Sequence, residues 1–308
     1  ENIKIQGSNR ISEAQVEYTW TSNTTGITGK YTVYWTLEGD ILDFGYVHVK
    51  STEGGKCVIV RDNVPETFVD GVLKVQLVKD LNGQVVTSNS MNISVVNPDV
   101  LMTYEDNPEV MTILNNAGLL NNPKYLLRSK AAIFTEDDLM QNGVSIFKGS
   151  GIKNFNEFEE FTGVTRIKKE LFADCSNLIE LKLPISTEYI EDNAFARSGL
   201  TYIYIPENIR NVSIQAFVYA NKLENIEVSR IASSYHSTDG CVYTGAKNST
   251  LFVIPAGRKT YVMPDETTSI YNNDPMVFLV GRGLESITLN ARIQNVTGKW
   301  FMFGMNSL

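Results

Sequence analysis

The sequence predicts a mostly β chain in two parts, an N-terminal β-sandwich and then a short helical cap that leads into a solenoid of stacked repeats. Three observations carry that expectation. From Ile3 to Val96 apolar residues alternate with polar ones, the period of strands that bury one face. Between Pro98 and about Gly143 the alternation stops and a helical pattern replaces it. Further on, phenylalanines recur at positions 172, 195 and 217, and columns of leucine, isoleucine and valine move in step with them.

At 308 residues the chain is long enough for two cores, because a single core rarely grows beyond ~250 residues. The expected division is a sandwich over 1–97 and a repeat domain over 98–308. Within the latter, 98–160 forms the cap and 161–308 the repeats.

Val16, Tyr18 and Trp20 make the first strong alternating set. Tyr31, Val33, Trp35 and Leu37 make the second, after the turn-rich stretch from Thr21 to Lys30. Leu73, Val75 and Leu77 make a third, and Asn82-Gly83 then turns the chain, since Asn-Gly accepts the positive φ angles of tight hairpins. Met91, Ile93 and Val95 return. Some seven short strands with turn signals every ~8 to 12 residues suit a sandwich, with a barrel as the alternative. An antibody-type domain would carry a Cys…Trp…Cys spacing, whereas only Cys57 stands here beside Trp20 and Trp35. The segment therefore resembles bacterial Ig-like modules, which usually lack the disulfide.

The cap opens at Asn107-Pro108, with proline early in a helix and Gly118 near its end. A second helix is expected from Thr135-Glu136-Asp137-Asp138-Leu139-Met140, where a Thr cap precedes acidic residues suited to the positive end of the helix dipole. Asp137 and Asp138 read as that helix start and not as a calcium or catalytic pair, because an EF-hand needs oxygen ligands spread over twelve residues. A solenoid needs such an element to cover its apolar end.

The first repeat runs Ile167, Phe172, Cys175, Leu178, Leu181, Leu183, Pro184. The second is Ile190, Phe195, Leu200, Ile203, Ile205, Pro206, and the third Val212, Phe217, Leu223, Ile226, Val228. A fourth keeps Phe278, Leu284, Ile287 and Leu289, and Val296, Phe301 and Leu308 are expected to begin a fifth that the chain end truncates. Between the third and fourth, Asp239 to Tyr243 and Thr250 to Pro255 are expected to form a β-hairpin insertion near 239–255, with Cys241 packed inside it. No unit can bury its own apolar face, so stacking buries them together.

The run Phe155-Asn156-Glu157-Phe158-Glu159-Glu160-Phe161-Thr162-Gly163-Val164-Thr165, with the Phe-x-x-Cys-type units, resembles BspA-like leucine-rich-repeat surface proteins of Bacteroides and relatives over roughly residues 107–308. Gly199 and Lys222 depart from it, standing before the repeat leucines where the family often has Ser or Asn. The resemblance implies a secreted or outer-surface protein of a Gram-negative anaerobe, with a lipoprotein or secretion signal removed before Glu1. Without the resemblance, the missing signal would equally suit a cytoplasmic chain.

The balance of 27 basic to 35 acidic residues supplies no electrostatic footprint for nucleic acid. The longest apolar runs, such as Met276 to Val280, fall far short of the ~20 residues of a membrane span. Cys57, Cys175 and Cys241 are too widely spaced for a metal pair. His48 and His236 are the two histidines, and neither lies in a nucleophile-elbow context. His48 reads as a solvent-facing strand residue. Gly281-Arg282-Gly283 lacks the continuation of a phosphate loop. The carboxylates Glu157, Glu159, Glu160, Glu191 and Asp192 read as solvated faces. The expectation is a non-enzymatic protein without cofactor or metal, which binds a protein or glycan ligand.

Strand alternation also specifies where binding would occur. The outward positions of successive repeats are Glu180/Lys182, Tyr202/Tyr204, Asn225/Glu227 and Ser286/Thr288, expected as one continuous exposed sheet with the two tyrosines at its centre.

Overall fold

A computed structural model describes residues 3–23, 29–271 and 284–292. The chain divides into two compact units, Glu1–Val100 and Leu101–Leu308.

The first unit holds β1 (Ile3–Gln6), β2 (Arg10–Ile11), β3 (Gln15–Ser22), β4 (Tyr31–Glu38), the short helix α1 (Asp40–Asp43), β5 (Val47–Ser51), β6 (Cys57–Arg61), β7 (Phe68–Lys79) and β8 (Val85–Val96). They form two four-stranded sheets, ordered β1-β3-β6-β5 and β2-β8-β7-β4. The inward residues of both sheets, among them Tyr18, Ile59, Trp35, Val75 and Ile93, join one buried cluster, as a sandwich requires. The hairpin at Asn82-Gly83 forms, with Gly83 at φ 67° and its N–H donated to Lys79 O at 2.9 Å. The chain crosses from one sheet to the other at Gly7. Its φ is 144°, and a Cβ there would lie 2.5 Å from Tyr18 Cδ1, so only glycine fits the crossing.

The second unit opens with β9 (Val100–Thr103), α2 (Pro108–Asn116), β10 (Tyr125–Leu127) and the one-turn helix α3 (Arg128–Ala131). Asn107 caps α2 by accepting the Val110 N–H at 3.4 Å, and its Nδ2 donates to Asn154 O at 3.1 Å. One buried side chain thus starts the helix and ties it to the first repeat strand.

The expected helix at Thr135 does not form. Asp138 accepts from both the N–H and the hydroxyl of Thr135 at 2.8 and 2.9 Å, which closes a turn, and the chain then enters β11 (Met140–Gln141) and β12 (Val144–Ser145). Asn142 and Gly143, at φ 51° and 77°, make the hairpin between them. An Asn-Gly pair at positive φ favours a two-residue turn over further helix.

The repeats follow in two rows of short parallel strands. One row holds β13 (Asn154–Phe155) with β15 (Glu180–Leu181), then β17 (Tyr202–Ile205) with β19 (Asn225–Val228). The other holds β14 (Arg166–Ile167), β16 (Tyr189–Ile190) and β18 (Asn211–Val212). Between the rows the phenylalanines stack. Ring centroids of Phe147, Phe172, Phe195 and Phe217 follow one another at 5.4, 5.9 and 5.4 Å, all within one apolar cluster from Met102 to Ala256. Phe147 extends the column one place before the repeats read from sequence. Phe155, Phe158 and Phe161 close that end with tilted and edge contacts.

Gly199 departs from the family pattern for a steric reason. A Cβ there would sit 2.3 Å from Ser176 O, inside any tolerable contact.

The insertion contains β20 (His236–Thr238), β21 (Cys241–Thr244) and β22 (Thr250–Val253), with β21 antiparallel to both neighbours. Cys241 is 1% exposed inside it. β22 does more than close the hairpin, for it pairs in parallel with β24 (Ser269–Ile270). Likewise β23 (Thr260–Val262) pairs in parallel with β25 (Ser286–Thr288). Tyr261, Met263 and Pro264 therefore occupy the places of Ile203, Ile205 and Pro206, a repeat strand that the sequence reading passed over. Phe278, Val296, Phe301, Leu308 and Gly281-Arg282-Gly283 lie outside the described residues.

Candidate functional site

Strand alternation places the predicted residues outward. Glu180, Lys182, Tyr202, Tyr204, Asn225 and Glu227 are all exposed, whereas Leu181, Ile203, Ile205, Ile226 and Val228 between them are buried. Tyr202 lies opposite Asn225 and Tyr204 opposite Glu227.

The face is not one continuous ladder. β15 pairs back to β13, and β17 pairs forward to β19. The side chains lean apart in the same sense. Lys182 Nζ reaches Glu159 Oε1 at 3.1 Å, while Tyr202 donates its hydroxyl to Glu227 Oε2 at 2.8 Å. Glu180 accepts from Asn156 Nδ2 at 3.1 Å. Between them opens a groove of about 610 Å³, lined by Leu181, Lys182, Ile185, Tyr202, Tyr204 and Glu207 among others. Burial, and then the Glu227 carboxylate, push the Tyr202 phenol up to about 12.

Ser286 and Thr288 do not continue this face directly, contrary to the expected single sheet. The hairpin of β20 and β21 lies against β19, where Ile226 donates its N–H to Gly240 O at 2.9 Å and Val228 to Ser237 Oγ at 2.9 Å. On the edge away from β17, two backbone donors of β19 are thus taken by the hairpin, and β25 pairs with β23. A second groove of about 560 Å³ lies beside the hairpin, lined mainly by polar side chains including Asn225, Glu227, His236, Asp239 and Asn248. Asn225 and Glu227 thus belong to this groove, and Lys182, Tyr202 and Tyr204 to the first. The sequence reading missed Glu207, Ile185 and His236 as lining residues. Their signal was weak, for all three lie in loops or at a strand start outside the alternating columns.

The remaining candidates fall elsewhere. His48 pairs with Asp62 at 2.8 Å with both side chains well exposed. Arg166 stacks over Tyr189 at 4.1 Å and bonds Glu191 at 3.1 Å. Asp137 pairs with Lys168. All three cysteines are buried, and burial pushes the Cys57 thiol up to about 11 and that of Cys241 up to about 12, which opposes thiolate formation. Among the described residues no three His, Cys, Asp or Glu gather into a metal-holding group, and no helix is long and apolar enough to cross a membrane.

Residues 141–256 match the family described as BspA type leucine rich repeat region, in six copies. This segment is a BspA-type leucine-rich-repeat region. Its first copies include the Phe147 unit, which the stacked rings place in register with the rest. Similar solved structures include a leucine-rich repeat protein from Eubacterium ventriosum, with 21% identity over 42% of this chain and 40% of that one, at a TM-score of 0.34. A leucine rich cell surface protein from Faecalibacterium prausnitzii shares 25% identity over 42% and 40%, at 0.33. The pneumococcal vaccine antigen PcpA shares 20% over 43% and 38%, at 0.36. The chain thus spans about two-fifths of the length of each of those proteins. No protein of curated function matches.

Proposed function

We propose that this chain is a non-catalytic recognition module at the cell surface or outside it, and that the BspA-type repeat face binds a protein ligand such as a host or matrix protein. The N-terminal two-sheet unit is read as an Ig-like domain that accompanies it. One observation carries the proposal: Tyr202 and Tyr204, 43% and 40% exposed, stand beside a groove, between the polar outward pairs Glu180/Lys182 and Asn225/Glu227. Exposed tyrosines supply large, rigid, amphipathic contact area of the kind enriched at binding hot spots.

The test is binding of the chain to a panel of immobilised extracellular and matrix proteins. Wild type is expected to bind at least one, and the Tyr202→Ala/Tyr204→Ala double variant to lose that binding with its thermal midpoint unchanged. Undiminished binding by the double variant would place recognition elsewhere.

A second reading, glycan capture for polysaccharide uptake, is favoured by the polar groove beside the hairpin. Asn225, Glu227, His236 and Asn248 offer amide, carboxylate and imidazole groups suited to sugar hydroxyls. A glycan array separates the two readings, since glycan binding sensitive to Asn225→Ala and indifferent to Tyr204→Ala would favour the second. Turnover in a glycosidase and peptidase screen would refute both.

A further inference from the structure

The groove beside the tyrosines carries information on the chemistry of its partner. Its lining includes three acids, Glu159, Glu160 and Glu207, against one base, Lys182. Two of the acids are already matched, Glu159 by Lys182 at 3.1 Å and Glu160 by Arg128. Glu207 is not. It is half-buried directly after Pro206, and among the described residues it has no hydrogen-bond or ion-pair partner.

Thr162 apart, the rest of the lining is apolar or aromatic. Ile185 is 55% exposed, and Tyr202 and Tyr204 are also open to solvent, with Pro206 beside them. Glu207 thus lines the groove as a carboxylate without a counter-charge of its own. A cation brought by a ligand would restore the balance, and tyrosine faces attract cations as well. A neutral glycan could donate hydroxyls to Glu207 but would bring it no counter-charge.

The geometry points to a peptide segment in which a lysine or arginine adjoins an aliphatic or aromatic anchor. The anchor packs among Ile185, Tyr204 and Pro206, and the cation pairs with Glu207. Glu180 and Glu227 on neighbouring repeats extend the acidic field along the face, and the chain's net charge of −8 favours approach of a cationic partner. The inference rests on the reading of this face as a protein-recognition surface.

The test titrates the whole chain into short fluorescein-labelled peptides of alternating lysine and leucine, lysine and serine, and glutamate and leucine, read by fluorescence anisotropy. The lysine–leucine peptide is expected to bind about tenfold more tightly than the other two. Glu207→Gln and Tyr204→Ala are each expected to weaken it about three- to tenfold, the scale of one partly exposed charge pair or one aromatic contact. Glu13→Gln in the first unit, which removes the same charge, is expected to leave it unchanged. Equal affinity for lysine–leucine and lysine–serine, or equal loss in Glu207→Gln and Glu13→Gln, would reduce the effect to general charge attraction and overturn the inference.

The two readings fail separately. A matrix protein that is lost with Tyr202→Ala/Tyr204→Ala but held by Glu207→Gln would sustain protein recognition and refute the cationic anchor. If the lysine–leucine peptide binds through Glu207 and no protein on the panel binds, the anchor stands and the panel result counts against a matrix ligand.

Discussion

The rings of Phe172 and Phe195 lie 5.9 Å apart and within 4° of parallel, and Phe195 repeats the relation with Phe217 at 5.4 Å and 8°. Each ring is fully buried and covers the next, so each repeat supplies the lid of its neighbour. Cooperativity in such an array passes through nearest neighbours.

Phe195, with a ring on either side, is the column's most consequential position. Phe195→Ala is expected to cost about 3–5 kcal/mol, and Phe195→Leu about 1 kcal/mol. Hydrogen exchange read by mass spectrometry should show the loss of protection in peptides spanning 160–230, with those of β7 and β8 unaffected, because the two units have separate cores.

Ser198 lies three residues after Phe195 and occupies the place that Cys175 holds after Phe172. Cys175 Sγ contacts Phe147 O at 3.0 Å, whereas Ser198 Oγ is buried and has no hydrogen-bond partner among the described residues. An orphan buried hydroxyl costs about 1–3 kcal/mol. Ser198→Ala is therefore expected to leave stability unchanged or raise it by about 1 kcal/mol, measured as the urea midpoint, in contrast to most buried substitutions.

Asn107 serves both α2 and β13. Asn107→Ala removes the cap and the bond to Asn154 O, and about 2 kcal/mol should be lost. Asn107→Asp keeps an acceptor for the Val110 N–H but cannot donate to Asn154 O, so its melting temperature should fall short of wild type, between the two.

Tyr202 offers a spectroscopic handle. Its phenol is raised to about 12, by burial and then by the Glu227 carboxylate, from an unfolded value near ~10. A raised folded value means that the interaction contributes fully below pH ~10 and is lost as pH climbs from there through 12. The difference in phenolate absorbance between wild type and Tyr202→Phe should titrate above the ordinary tyrosine range. Glu227→Gln, which removes the charge, should shift that difference downward.

Much of this architecture could be read in the residues, for a physical reason. Phe172, Phe195 and Phe217 meet the same surroundings three times, so the sequence states the same requirement three times. Phe147 was less legible because its distance to Phe172 is 25 residues and not 22 or 23. β23 was hidden because Tyr261 and Met263 fill places that Ile and Val fill elsewhere, and because the preceding strand also reads as half of a hairpin. At Thr135 the helix-start chemistry is present, but Asn142-Gly143 outweighs it. The groove was not legible at all. It depends on Lys182 and Tyr202 turning toward opposite neighbours, and nothing local to either residue specifies that.

The hairpin against β19 has a consequence for how this array can diversify. Because Gly240 and Ser237 accept the N–H groups of Ile226 and Val228, the face that carries Tyr202 and Tyr204 has a fixed margin on that side. Strands stacked on β23 and β25 lie beyond the hairpin, so they lengthen the array without widening or narrowing that face. The length of the stack and the width of that face can then vary separately, much as a handle is lengthened without recutting the key.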